Sequence, residues 1–239
     1  MRLFFFLIMA KLLFLETATQ ICSVALAEDG VLISIKESDS TNSHSSLLTD
    51  FIQNIISDAK IKLQDLDGIV ISKGPGSYTG LRIGVSAAKG LCYSLDIPLI
   101  SVNTLQSMAA GMKGSGNDAK AIFCPMIDAR RMEVYTALFD NQNNEMEATS
   151  AKIIDESSFI DLLKNHIVYF GGDGAEKCKS VLSLNSNARF LDDFRISAKD
   201  MIELAFQKFN ARQFEDVAYF EPYYLKDFIA GIPKVKGLK

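Results

Sequence analysis

The chain has 239 residues, 48% of them hydrophobic and 23% charged, which is ordinary for a soluble globular chain and enough for one large domain or two small ones. Its 25 Lys and Arg stand against 29 Asp and Glu, a net charge of −4, and this excludes a protein that grips nucleic acid unaided through a basic surface. Cys22, Cys92, Cys124 and Cys178 are far apart without a C-x-x-C, which fits neither a zinc site nor a dense disulfide framework; four reduced, mostly buried thiols of a cytosolic protein are expected.

The first ten residues, Met1 to Ala10, start like a signal peptide, with one basic residue and then an apolar run. Lys11 interrupts the run and no small-residue cleavage site follows, and the stretch is too short to span a membrane. We read residues 1–8 as an upstream extension and Met9 as the start, with secretion or anchoring as the competing reading. Leu12–Leu15, Ile21–Ala27 and Val31–Lys36 read as strands, the last two joined by a hairpin turn at Glu28-Asp29-Gly30. From His44 to Ala59, apolar residues at 47, 48, 51, 52, 55, 56 and 59 make the stripe of an amphipathic helix.

Gly68–Ser72 is an apolar strand candidate that leads into Gly74-Pro-Gly-Ser-Tyr-Thr-Gly-Leu-Arg-Ile-Gly84, the most informative segment of the chain. Pro75 pre-sets a turn, and Gly76 is expected to supply the positive φ of a type II turn. Ser77 and Thr79 can cap the helix that runs on to Leu95. Strand, tight turn and helix N-terminus form the geometry that receives anions. The spacing is that of neither a P-loop nor a dinucleotide fingerprint, so an unliganded β-to-α connection is the other reading.

Ile97–Val102 reads as a strand and Asn103 to Met112 as a helix. Lys113 to Asp118 is a polar, Gly-rich linker, after which the pattern begins again. Strands follow at Ala119–Ile127 and Met132–Asp140 around a turn at Asp128-Ala-Arg-Arg131, then a polar connection from Asn141 to Thr149. A helix is expected from Ser157 to Asn165, and a strand at Val168–Phe170 runs into the Gly-rich turn 171–174 before another helix. A last helix is capped by Ser197, and an extended basic tail begins at Glu221. The divisions are therefore an N-terminal subdomain at 9–112 and a C-terminal subdomain at 113–239, two αβ halves with a cleft between them that could take a ligand.

The chain resembles the TsaB (YeaZ) family over nearly its whole length. Four stretches carry the resemblance: Leu13 to Thr19, Lys73 to Gly84 with Ala87 to Leu91, Asp128 to Tyr135, and Glu221 to Leu225. The long Gly-rich stretch is the specific one. The resemblance implies an α/β fold of two related subdomains, of the actin/hexokinase/Hsp70-like (ASKHA) kind. It implies a role in adding threonylcarbamoyl to the adenosine beside the tRNA anticodon, as a cytoplasmic, non-catalytic subunit. The implied partners are a TsaD-type catalytic subunit and a TsaE-type ATPase, with a homodimer in their absence, tRNA contacted only through the complex, and no membrane.

The catalytic paralogue carries a Val-x-His-x-x-x-His metal motif after a similar Gly-rich segment. Here the corresponding stretch is Val102 to Met108, with Thr104 and Met108 at the ligand positions, and neither replaces imidazole toward a divalent metal. The only histidines are His44 and His166, and His44 near a helix start reads as a cap or surface residue. No metal and no catalytic residue are expected. Cofactors are none required, with ATP or ADP conceivable at the partner interface.

Glu16, Thr17, Gly74, Gly76, Ser77, Thr79, Gly80 and Arg82 are the candidates for a residual phosphate or nucleotide contact; for Glu16 the bland alternative is capping a turn or pairing with a base such as Arg82. The implied partner surface is the helix pair, through Leu47, Leu48, Phe51, Ile52, Ile55, Arg82, Val85, Ala88, Lys89 and Cys92. Lys226, Lys234, Lys236 and Lys239 either approach tRNA in the complex or form a solvated tail. The competing function is an independent kinase-like ATPase, with Glu16 and Asp173 as its carboxylates, or a glycoprotease-like hydrolase, for which no Ser-His-Asp set is evident.

Overall fold

The computed structural model describes residues 9–39, 44–115 and 120–226. The N-terminal extension, part of the 113–118 linker and the lysines beyond Lys226 lie outside the described residues. Among the described residues no helix is long and apolar enough to cross a membrane.

The first half is built on β1 (Lys11–Glu16), β2 (Cys22–Glu28), β3 (Val31–Ser38), β4 (Gly68–Ser72) and β5 (Leu99–Val102), in the order β3-β2-β1-β4-β5. Asp29 at φ 48° and Gly30 at φ 81° give the β2–β3 connection the paired positive φ of a tight hairpin turn. β1 pairs antiparallel with β2 and parallel with β4, and β4 pairs parallel with β5. β4 and β5 are buried at every residue, because helices cover both sheet faces; this is why they read as mostly apolar runs, with Ser72 and Ser101 buried among them.

One face of β1, carrying Leu13 and Leu15, meets α1 (His44–Asp58) and α2 (Tyr78–Leu95) in a core with Leu48, Ile55 and Val85. Leu12 and Phe14 face the other way, onto α6 (Ile202–Asn210) and the short 3-10 turn before it. α3 (Thr104–Met112) follows β5 and packs toward the second half. Its N-cap is Asn103, whose side-chain oxygen accepts from Leu105 N at 2.9 Å and Gln106 N at 3.2 Å. Asn103→Ala should therefore cost about 1 kcal/mol, read as a lowered denaturant midpoint at unchanged m.

The second half comprises β6 (Ile122–Asp128), β7 (Glu133–Phe139), β8 (Glu145–Ile153), α4 (Ile160–Asn165), β9 (Val168–Gly171), α5 (Lys179–Leu182) and β10 (Ala188–Leu191). Its order, β10-β9-β6-β7-β8, repeats the first sheet read from the other edge, with the same antiparallel and parallel pairings. The duplicated architecture is thus a property of the strands.

Several local expectations are corrected. The connection from Asn141 to Thr149 is mostly β8, a strand exposed over its first half at the sheet's edge; a solvated edge strand carries polar residues and no apolar alternation. The true turn is at Asp140 to Asn144, where Asp140 Oδ1 accepts from Gln142 N and Asn144 N at 2.8 Å each. The helix expected from Ser157 starts only at Ile160, after Phe159 in the left-handed region at φ 61°. The stretch capped by Ser197 opens as a 3-10 turn, Ala198–Met201, before α6. β10 had no strand signal and is a short edge strand.

Candidate functional site

Glu16 ends β1 inside the protein. Its Oε1 accepts from Ala18 N at 2.6 Å, while Oε2 is buried without a partner among the described residues. Burial pushes its carboxyl up to about 7, against the opposing pull of the Ala18 amide and with Asp200 adding to the rise. The base pairing entertained for Glu16 is not formed: Arg82 is exposed, with its guanidinium 4.4 Å over the Tyr78 ring one helical turn before it.

The turn after Glu16 lies directly on the Gly-rich segment. Ser77 N donates to Ala18 O at 2.6 Å, and Thr17 Oγ1 donates to Gly80 O at 2.8 Å. A Cβ at Gly76 would overlap Ala18 O, one at Gly80 would overlap Thr17 O, and one at Gly84 would overlap Thr17 Oγ1. The glycines at 76, 80 and 84 thus let the 17–18 backbone touch the start of α2.

The positive φ of this turn sits on Gly74, at 114°, and not on Gly76; Gly74–Pro75 is a cis peptide bond. A Cβ at Gly74 would lie 2.5 Å from Tyr223 O, and Gly76 is needed for close approach. Ser77 is the N-cap of α2, its Oγ accepting from Gly80 N at 3.2 Å, whereas Thr79 lies within the helix. Three donors of the expected anion cradle are engaged by the chain itself: Gly74 N on Thr104 Oγ1 at 3.0 Å, Ser77 N on Ala18 O, and Gly80 N on Ser77 Oγ.

Thr104, at the first of the two positions occupied by His in the catalytic paralogue, is fully buried and within 2.7 Å of Ser72 Oγ. Met108, at the second, is core, and its methyl fills the space over Gly172. Ser72 and Asp200 escaped the reading of the sequence, and Thr104 was read only as a replaced ligand position. Asp200 lies against Gly111, and its carboxyl is also pushed up to about 7, by burial that Lys199 only partly offsets.

The segment after α6 is a strap over this region. Glu215 N donates to Leu99 O at 2.9 Å, Lys89 Nζ to the carbonyls of Ala218 and Phe220 at 3.0 Å each, and Tyr223 N to Lys73 O at 2.7 Å. The Tyr224 ring lies 5.0 Å from that of Tyr78, and Lys226 pairs with Glu133 of the second half. The tyrosines were visible as a motif, but no local spacing foretells a contact this distant in sequence.

The helix pair needs correction as a surface. Leu48, Ile52, Ile55, Val85, Ala88 and Cys92 belong to the core of the first half, because each faces β1, β2 or β4. Leu47 and Phe51 are half-buried, Lys89 holds the strap, and Arg82 is exposed. All four cysteines are free and buried, and burial raises each thiol, Cys92 and Cys124 to about 12.

The second half has its own version of the site. Asp128 ends β6 as Glu16 ends β1, and Asp128 N donates to Asp173 Oδ1 at 3.0 Å in the second Gly-rich turn. Burial pulls Asp128 up, but the Lys177 ammonium and the Arg130 amide outweigh it and hold the carboxyl below its usual range; burial raises Asp173. Two clefts of about 510 Å³ open elsewhere. One lies between the halves, lined by Glu37, Gly111, Asp192, Arg195 and Asp200, and neither is lined by Glu16 or the first Gly-rich turn.

Two αβ halves of one strand topology, each with an acidic residue ending its first strand and a Gly-rich turn beyond its fourth, define a fold of the ASKHA kind. Solved structures agree: YeaZ from Pseudomonas aeruginosa superposes with a TM-score of 0.76 at 24% identity, covering 91% of this chain and 100% of that one. The activator of 2-hydroxyisocaproyl-CoA dehydratase from Clostridium difficile shares the fold at a TM-score of 0.50 and 9% identity, over 86% of this chain and 98% of that one. A family profile described as "TsaD: tRNA N6-adenosine threonylcarbamoyltransferase" matches residues 35–233. The tRNA threonylcarbamoyladenosine biosynthesis protein TsaB of Escherichia coli K12 is 30% identical over 229 residues, 92% of this chain and 96% of that protein. The protein of that name from Bacillus subtilis 168 is 36% identical over 136 residues, 57% of this chain and 58% of the Bacillus protein, less than two thirds of its length. The chain belongs to the family that this profile describes and, within it, to the TsaB (YeaZ) group.

Proposed function

We propose that this chain acts in tRNA threonylcarbamoyladenosine biosynthesis, in the cytoplasm, as a non-catalytic subunit that positions a TsaD-type catalytic partner. The observation that carries the reading is the 30% identity with the Escherichia coli TsaB protein across 96% of that protein. The site supports the non-catalytic part. At the two His positions of the catalytic paralogue, Thr104 is committed to Ser72 and Gly74, and Met108 to the core over Gly172. The partner surface is the margin of α1 and α2 around half-buried Leu47 and Phe51 and exposed Arg82, which also serves a homodimer when the partner is absent. The TsaE-type ATPase joins the assembled pair. Any ATP or ADP sits at the interface with the partner, since three donors of the Gly-rich turn are taken by this chain.

Reconstitution tests the proposal. Threonylcarbamoyl transfer to tRNA by the TsaD-type and TsaE-type proteins should depend on adding this chain, and the chain alone should turn over no ATP. Transfer that proceeds equally without it, or robust ATP turnover by it alone, would overturn the reading.

A further inference from the structure

The motif Asp128-Ala-Arg-Arg131 has no task in the account so far. It forms the β6–β7 hairpin tip, closed by Ala129 N donating to Glu133 O and Glu133 N donating to Arg130 O, both at 3.1 Å. Arg130 at φ 74° and Arg131 at φ 50° are consecutive residues in the left-handed region, which Gly and Asn enter far more readily than Arg. Local turn chemistry would place Asn-Gly here. The chain instead holds two long cations in a strained tip, and such strain is a mark of functional segments.

The surroundings leave those cations available. Both side chains are exposed, and among the described residues neither donates a hydrogen bond or joins an ion pair. The acids at the base of the tip have other ion-pair partners: Asp128 has Lys177, which also donates to Glu133 O at 2.7 Å, and Glu133 has Lys226, while Arg130 adds a through-space pull on Asp128. Asp173 is mostly buried, and burial raises its carboxyl above the usual range. A chain of net charge −4 thus carries Arg130 and Arg131 on this hairpin tip, with Lys177 and Lys226 paired to acids at its base from two other segments.

We propose that this hairpin tip is a contact for the phosphodiester backbone of RNA, used by the assembled complex to hold its tRNA. The proposal rests on the function proposed above for the choice of tRNA. The fork of a guanidinium matches a phosphate with two parallel hydrogen bonds, and two neighbouring arginines can reach successive phosphates. The overall negative charge fits a contact that adds to tRNA binding within a complex and does not bind RNA by itself.

The test uses the reconstituted complex, a labelled tRNA that it modifies, and the double variant Arg130→Asn with Arg131→Gly. This variant suits the turn better than the native pair, so the protein should fold with a thermal midpoint at least as high. Affinity for tRNA should nevertheless fall about tenfold, and the slope of log affinity against log salt should shrink by roughly 1–2, the share of about two phosphates. The variant Arg130→Lys with Arg131→Lys should keep most of the salt slope while losing part of the affinity. Unchanged affinity and slope in the Asn-Gly variant would overturn the proposal, as would loss of binding to the catalytic partner in place of tRNA, which would mark a protein contact. Because the wild-type complex is first shown to need this chain for transfer, a failure here is separable from a failure of the functional reading.

Discussion

Gly80→Ala should destabilise the protein by about 3 kcal/mol or more, while Gly90→Ala on the same helix should stabilise it by up to about 1 kcal/mol. The sign differs because the two glycines do different work. A methyl on Gly80 would overlap the Thr17 carbonyl oxygen, and neither backbone can retreat: Thr17 follows a buried strand, and α2 is fixed at its start by the Ser77 cap. A methyl on Gly90 meets nothing within 4 Å, so only the helix propensity of alanine is felt. For a chain of this size the loss at Gly80 corresponds to a thermal midpoint lower by roughly 6–12 °C, a large part of the stability of an ordinary domain. Equal and small shifts at both positions would show that the 17–18 turn does not rest on α2.

The second large effect is a pH dependence centred on Glu16. Its carboxyl titrates near 4.5 in the unfolded chain and at about 7 in the folded one. The folded state therefore holds a proton that the unfolded state has released between those values. Stability falls as pH rises through that window and levels off above about 7, with a total change of roughly 3 kcal/mol for this one group. Glu16→Gln keeps an oxygen for the Ala18 amide and removes the ionisation. The variant should match the native protein near pH 4.5 and exceed it at pH 8 by up to about 3 kcal/mol, read from denaturant midpoints across pH. Asp200, raised by the same cause, leaves a residual slope of the same sign. A native protein whose stability does not fall from pH 5 to pH 8 would remove the buried-proton account.

The elements that the sequence revealed best are those whose burial is two-sided. β1, β4 and β5 are mostly apolar because helices cover both faces, and α1 carries its period because one face meets the sheet. The elements it hid are exposed or very short. β8 is solvated, and β10 has four residues at a sheet edge. The Gly-rich segment was found by composition, yet the task of its glycines was misplaced. Gly76 looked like the residue of positive φ because Pro75 precedes it. Only the long-range packing of Ala18 and Tyr223 shows that Gly76 is there for closeness and Gly74 for conformation. Likewise an apolar stripe announces a helix but not what covers it. Leu48 and Ile52 carry the same hydrophobic signal whether the neighbour is a sheet of this chain or another protein, and here it is the sheet.

The strap that ends the described chain is fastened mostly by main-chain atoms. Glu215 and Tyr223 donate their amides to Leu99 and Lys73, and Lys89 holds two carbonyls of the strap. A path fixed by amides and carbonyls leaves its side chains for other contacts: Glu215 on Ser101, Phe220 on the core and Lys226 on Glu133. Between Ala218 and Phe220 it is carbonyl oxygens that hold the route over α2, both through the single side chain of Lys89.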